Sequence, residues 1–155
     1  MKRIWARLVI GAALVAMVAF GADNSLGTWK LNMDKSTFNP GPAPIKSLTT
    51  TREASDGGVK ATSTGEGADG TPINAGYTAK YDGKDYPVTG SPWDTIAIKQ
   101  VNANTLTAAT KKTDGKYRAT SRTVVSKDSK TMTTTVKGTD AEGKPFNNTM
   151  IYDKQ

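Results

Sequence analysis

The 155-residue chain contains no cysteine and no histidine. Without cysteine there are no disulfide staples, no thiol nucleophile and no lipid-modified cysteine behind a leader, so the fold must stand on its core and its hydrogen-bonded ladders. Without histidine the chain lacks the commonest general base and the commonest metal ligand. Aromatic residues are scarce, with three Trp, five Tyr and three Phe. Long apolar runs are missing too, except for Leu8 to Phe20 near the N-terminus. That run is about thirteen residues, short of the roughly twenty that cross a hydrocarbon core. Lys2, Arg3 and Arg7 precede it and Ala19-Phe20-Gly21 closes it. This is the pattern of a secretory signal peptide. We therefore expect residues 1–22 to be a leader cleaved near Gly21 or Ala22, and the chain to be exported to the periplasm or the medium.

Loss of the leader's three cations lowers the formal net charge from +7 to +4. The remaining lysines are scattered among Asp and Thr, which reads as a solvated surface. No nucleic-acid partner is expected, and no membrane contact after cleavage. Residues 23–155 are enough for one domain and too few for two.

What the chain does have is a regular supply of turns. Asp56-Gly57-Gly58, Asp69-Gly70, Asp82-Gly83, Asp114-Gly115, Lys127 to Lys130 and Glu142-Gly143 punctuate it, with Ser91-Pro92 and Asn102-Ala103-Asn104 filling the longest interval. Asp-Gly and Asn-rich pairs supply the positive φ of tight hairpins. Between them lie short stretches rich in Thr, Val, Ile and Tyr, which suit a pleated surface. The spacing predicts strands at 26–32, 46–54, 58–65, 73–82, 85–90, 95–101, 105–112, 117–126, 131–138 and 146–153. No segment after Phe20 has helical periodicity beyond a single turn near Asp34 to Thr37, and Asn39 to Pro44 reads as an extended proline-rich linker. The expected fold is all-β: an antiparallel up-and-down meander closed into a barrel of about eight to ten strands, because closure removes exposed edges.

Alternation assigns the faces. Tyr77, Ala79 and Tyr81 share one side, as do Ile96 and Ile98, then Met132, Thr134 and Val136, then Phe146, Met150 and Tyr152. On 117–126 the arginines Arg118 and Arg122 are placed outward, since an unpaired charge inside is costly.

Catalysis is hard to stage on these residues. Most of the acids fall at or beside predicted turns, where Asx geometry accounts for them. Gly65-Glu66-Gly67-Ala68-Asp69-Gly70 matches G-x-G-x-x-G, yet the polar Thr62-Ser63-Thr64 precedes it and Thr71-Pro72 follows. The dinucleotide fingerprint needs a buried strand before and a helix after, so a hairpin turn is expected instead. We expect no enzyme, no cofactor and no metal.

The strand Gly27-Thr28-Trp29-Lys30-Leu31 opens the meander. A Gly-x-Trp in that place resembles the calycin superfamily, which includes lipocalins and intracellular fatty-acid-binding proteins. The Gly-Thr-Trp-Lys-Leu run and the closing Ile151-Tyr152-Asp153-Lys154 look most like the latter. The resemblance implies a lipocalin-like barrel in which Trp29 closes one end and has a structural role. The fatty-acid-binding proteins hold a carboxylate with Arg-x-Tyr on the last strand; Met150 and Tyr152 stand there in this chain.

Tyr77, Tyr81, Tyr86, Trp93 and Tyr152 are the candidate ligand contacts, each an apolar body with a polar tip. Arg118 and Arg122 are candidate polar partners should their strand face the other way. The expected function is that of an exported, non-enzymatic binder of a small apolar or amphipathic molecule. The alternative is a structural or interaction module of the envelope with a filled core and no small-molecule ligand.

Overall fold

The computed structural model describes residues 21–155. The expected leader lies outside the described residues, apart from its last two positions. Eleven strands follow: β1 (Gly27–Leu31), β2 (Thr37–Asn39), β3 (Ile45–Ser55), β4 (Gly58–Gly67), β5 (Pro72–Lys80), β6 (Tyr86–Thr89), β7 (Thr95–Asn102), β8 (Thr105–Lys111), β9 (Arg118–Val125), β10 (Thr131–Thr139) and β11 (Pro145–Lys154). From β3 to β11 each strand pairs antiparallel with the next, and β1 pairs with both β3 and β11. The result is a closed ten-strand meander barrel, with β2 added beside β11.

The ten strands predicted from alternation match the structure to within two residues at every end. The strand the sequence reading omitted is β2. Ser36 N–H donates to the Asn32 carbonyl at 3.1 Å, so one helical turn interrupts the first strand, and Thr37–Asn39 then resumes along β11. Three residues are too few to show a period, and their ladder partner is more than a hundred positions away. The glycine-rich Gly65–Gly70 forms the β4–β5 hairpin, as expected.

One end of the barrel is plugged. Residues 22–26 fold across it, with Asn24 N–H bonded to the Ala103 carbonyl and Gln100 Nε2 to the Ala22 carbonyl. Trp29 is fully buried beneath them and donates Nε1–H to the Ser25 carbonyl at 2.9 Å. The Lys154 ammonium lies 5.1 Å from the Trp29 ring centroid, a cation–π contact that covers the indole from outside. Gly27, at φ +120°, turns the plug into β1 where a side chain would meet Lys154. At the other end β2 pairs with β11 alone, so the wall is not sealed between β2 and β3.

The core is not contiguous. Val59, Ala79, Val88, Ile96, Ile98 and Leu106 form one apolar cluster from β4 to β8. Trp29, Leu31, Val125, Met132 and Tyr152 form a second on β1 and β9 to β11. Around the ring they are separated by inward polar residues: Thr50 and Arg52 on β3, and Ser121, Thr123 and Thr134 on β9 and β10.

Candidate functional site

The chemistry of the interior centres on Arg52. Its register partners are Gly27 and Ala61, and it shares the inward parity of Leu48 and Thr50 on β3. The residue is only 9% exposed. Its Nε donates to Ser25 Oγ at 3.2 Å and its Nη1 to the Tyr77 hydroxyl at 3.3 Å. Its Nη2 is buried with no acceptor in reach. Burial would drive the guanidinium toward neutrality, but the oxygens of Tyr77, Tyr81 and Asp23 outweigh it and hold the pKa above the ordinary arginine value. The cation is thus permanent, desolvated and left with both Nη2 donors unsatisfied, an arrangement that costs stability.

The nearby acid is already engaged. Asp23 accepts from the Tyr81 hydroxyl at 2.5 Å and from the Ser25 hydroxyl at 2.6 Å. It makes no direct ion pair with Arg52. Tyr81 therefore ties the plug to β5, and burial followed by the bond to Asp23 raises its pKa. Tyr152 is different: its hydroxyl has only the Met150 sulfur, at 3.9 Å, as a weak acceptor. Burial raises its pKa, with Tyr77 adding to the effect and the Arg52 charge opposing it. Arg52 Nη2 is thus a cationic donor without an acceptor at the plugged end, which suits an anion.

Above this floor the inward wall is built of small residues. Thr50, Ser63, Ala75, Ala108, Ser121 and Thr134 point inward by register, yet all are half-exposed. Thr50 and Ser63 share a hydrogen bond of 2.8 Å, and Thr123 and Thr134 one of 2.9 Å, so these hydroxyls are paired along the wall. At the far end Trp93 stacks on Tyr117 with centroids 5.6 Å apart, and Tyr117 leans on Phe146 at 5.9 Å. Trp93 Nε1–H is buried and unpaired.

Of the residues singled out in the sequence, Tyr77 is bonded to Arg52, and the buried Tyr152 phenol is near enough to feel the Arg52 charge. Tyr81 is turned to Asp23 instead. Tyr86 packs its ring on the first cluster but bonds its hydroxyl to Asp82 at 2.7 Å, outside the chamber. Trp93 stands in the loop before β7, away from the tyrosines of the floor. Arg118 and Arg122 are both exposed on the outer surface, which removes them as interior partners and supports their outward placement. Arg118 Nη1 is taken up by the carbonyls of Lys112 and Tyr117. The sequence reading passed over Arg52, although its parity with Leu48 was visible; the Thr49-Thr50-Thr51 run blurs the alternation there.

Two grooves open on the outside. One of about 490 Å³ follows the seam beside Leu31, Met33 and Ser47. The other, about 690 Å³, crosses β8 to β10 and ends at Phe146. Neither is lined by Arg52 or Tyr77. Among the described residues no three side chains of metal-ligating type come together. No protein-family model matches the chain, and no curated protein matches it.

Proposed function

We propose that this protein is an exported, non-enzymatic carrier of a small amphipathic molecule with an anionic head, in a lipocalin-like barrel. The observation that carries the proposal is the buried Nη2 of Arg52, part of a permanent cation whose Nη1 is bonded to the Tyr77 hydroxyl while Nη2 lacks an acceptor. An acid entering head-first supplies the missing acceptor. Its apolar body then lies between the two core clusters, against Ala75, Ala108 and Val136. The trio Gly27-Thr28-Trp29 at the plugged end and the ten-strand ring support the calycin reading. Arg52 stands on β3, so the charge comes from a different strand from the one used in fatty-acid-binding proteins.

Native mass spectrometry on protein purified from its exported compartment tests this, followed by calorimetric titration with dodecanoate, dodecanol and dodecylamine. A co-purifying mass and binding in the order acid, alcohol, amine is the expected result. No co-purifying molecule and no heat with any of the three probes overturns it in favour of a filled interaction module.

A further inference from the structure

Strands β7, β8, β9 and β10 carry Lys99, Lys111, Arg118, Arg122 and Lys137, and not one acidic residue. These five cations are scattered over some forty positions of sequence. The meander brings them onto one outer wall. Lys111 is the cross-strand partner of Arg118, while Thr107 stands opposite both Lys99 and Arg122, and Lys137 is paired with Thr120. With strands about 4.8 Å apart, four of them span roughly 15 Å, so neighbouring charges lie within about a Debye length at physiological salt. Among the described residues Lys99, Arg122 and Lys137 make no ion pair, though Asp82 is the cross-strand neighbour of Lys99, and the wall's only ion-paired cation is Lys111, with Asp85. The opposite wall is mixed: Lys46 and Lys80 are paired with Glu66 and Asp56.

A second, independent feature occupies the same wall. Val101 and Val124 are the exposed large hydrophobic residues of the described chain, at 54% and 40% exposure. Both stand at the plugged end of β7 and β9, and Val124 pairs across to Thr105 and Thr133. Cations with adjacent exposed aliphatic side chains match the interface of an anionic bilayer, where the charges meet headgroups and the aliphatic groups enter the boundary layer. A polyanion such as nucleic acid would meet the same charges but leaves the valines without a role.

We propose that the outer wall of β7 to β10 is a peripheral docking surface for anionic lipid. This departs from the expectation of no membrane contact, which weighed the lysines one at a time along the chain. It does not depend on what the barrel holds.

The test is flotation of the mature protein with vesicles of phosphatidylcholine alone and with about one-third phosphatidylglycerol, at low and high salt. Binding is expected to the anionic vesicles only, and to fall as salt rises. Arg122→Glu with Lys137→Glu should weaken it at least about tenfold. Lys60→Glu with Lys80→Glu changes net charge equally on the opposite wall and should leave it within about twofold, and Val101→Ser with Val124→Ser should weaken it without changing the salt dependence. Circular dichroism of each variant separates lost docking from lost fold. No binding to anionic vesicles, equal loss in both charge-reversed pairs, or binding to a DNA duplex with none to vesicles overturns the proposal.

Discussion

Replacing Arg52 with Met separates a structural role for this residue from a functional one. The substitution removes two hydrogen bonds, to Ser25 and Tyr77, both long at 3.2 and 3.3 Å. Bonds to a charged group contribute about 1.5–3 kcal/mol each, and these belong at the low end, for a loss of about 3 kcal/mol. Against that, the variant no longer buries an unpaired N–H, which costs about 1–3 kcal/mol, and no longer desolvates a cation, which costs several kcal/mol. Asp23 is not orphaned, because it keeps Ser25 and Tyr81 and is half-exposed. Methionine is apolar, flexible and of similar reach. The balance favours the variant by about 1–2 kcal/mol, a rise in melting temperature of roughly 3–8 °C. Urea unfolding and calorimetry measure the stability; titration with dodecanoate measures the function, which should fall at least about tenfold through loss of the charge-assisted contact. A variant destabilised by 2 kcal/mol or more would mean that Arg52 chiefly ties the plug to the barrel. One that bound the acid unchanged would refute the assignment of Arg52 as its anchor.

Trp29→Ala empties the plugged end and should cost about 3–5 kcal/mol in urea unfolding; Trp29→Phe, which loses chiefly the bond to Ser25, should cost about half of that or less. Tyr81 and Tyr152 have pKa values raised by burial, so the stability they contribute is complete below about pH 10, the unfolded value, and is lost as pH rises through the folded values. Absorbance at 295 nm should therefore show these two phenols ionising together with loss of the fold; early, non-cooperative ionisation of all five tyrosines would contradict the burial. At Gly138 a Cβ would stand 1.9 Å from the Arg118 carbonyl oxygen, so Gly138→Ala must shift the β9–β10 ladder and should lower stability by about 1–3 kcal/mol, against no change if the strands separate freely.

The fold was legible because two local signals agreed. Asp-Gly and Asn-rich turns marked the hairpins, and alternation of Ile96 with Ala97, or Met132 with Thr133, set the faces. Those signals need only neighbours in sequence. β2 was not legible, since its partner Asn147 to Thr149 lies at the far end of the chain. The site was half legible for a related reason. Tyr77 and Tyr152 were found by asking for aromatic residues on inward faces, but Arg52 was passed over because the Thr49-Thr50-Thr51 run blurs the alternation of β3. The plug was missed as well, because Asp23 and Ser25 show no pattern of their own and act only through Tyr81, Trp29 and Arg52.

Arg52 is a charged residue at an inward position, where local preference and fold disagree, and such conflicts concentrate where function has overridden stability. The inward Thr50, Ser63, Ser121 and Thr134 extend the same point, for a barrel selected only to be solid would join its two apolar clusters across them. Interior and exterior then bear on one another. The aromatic stack Trp93–Tyr117–Phe146 borders the groove that ends at Phe146, and Lys111 and Arg118 line that groove on the proposed lipid-facing wall. An amphiphile too apolar to travel far through water must be collected from a surface, and a cationic wall beside the aromatic stack would hold the barrel against an anionic one. The two proposals then make separable claims on kinetics. Arg52→Met should lose the ligand yet float with anionic vesicles as before. Arg122→Glu with Lys137→Glu should bind free dodecanoate normally but take it more slowly from those vesicles. Equal transfer rates with and without the wall's cations would leave the barrel a carrier that loads from solution.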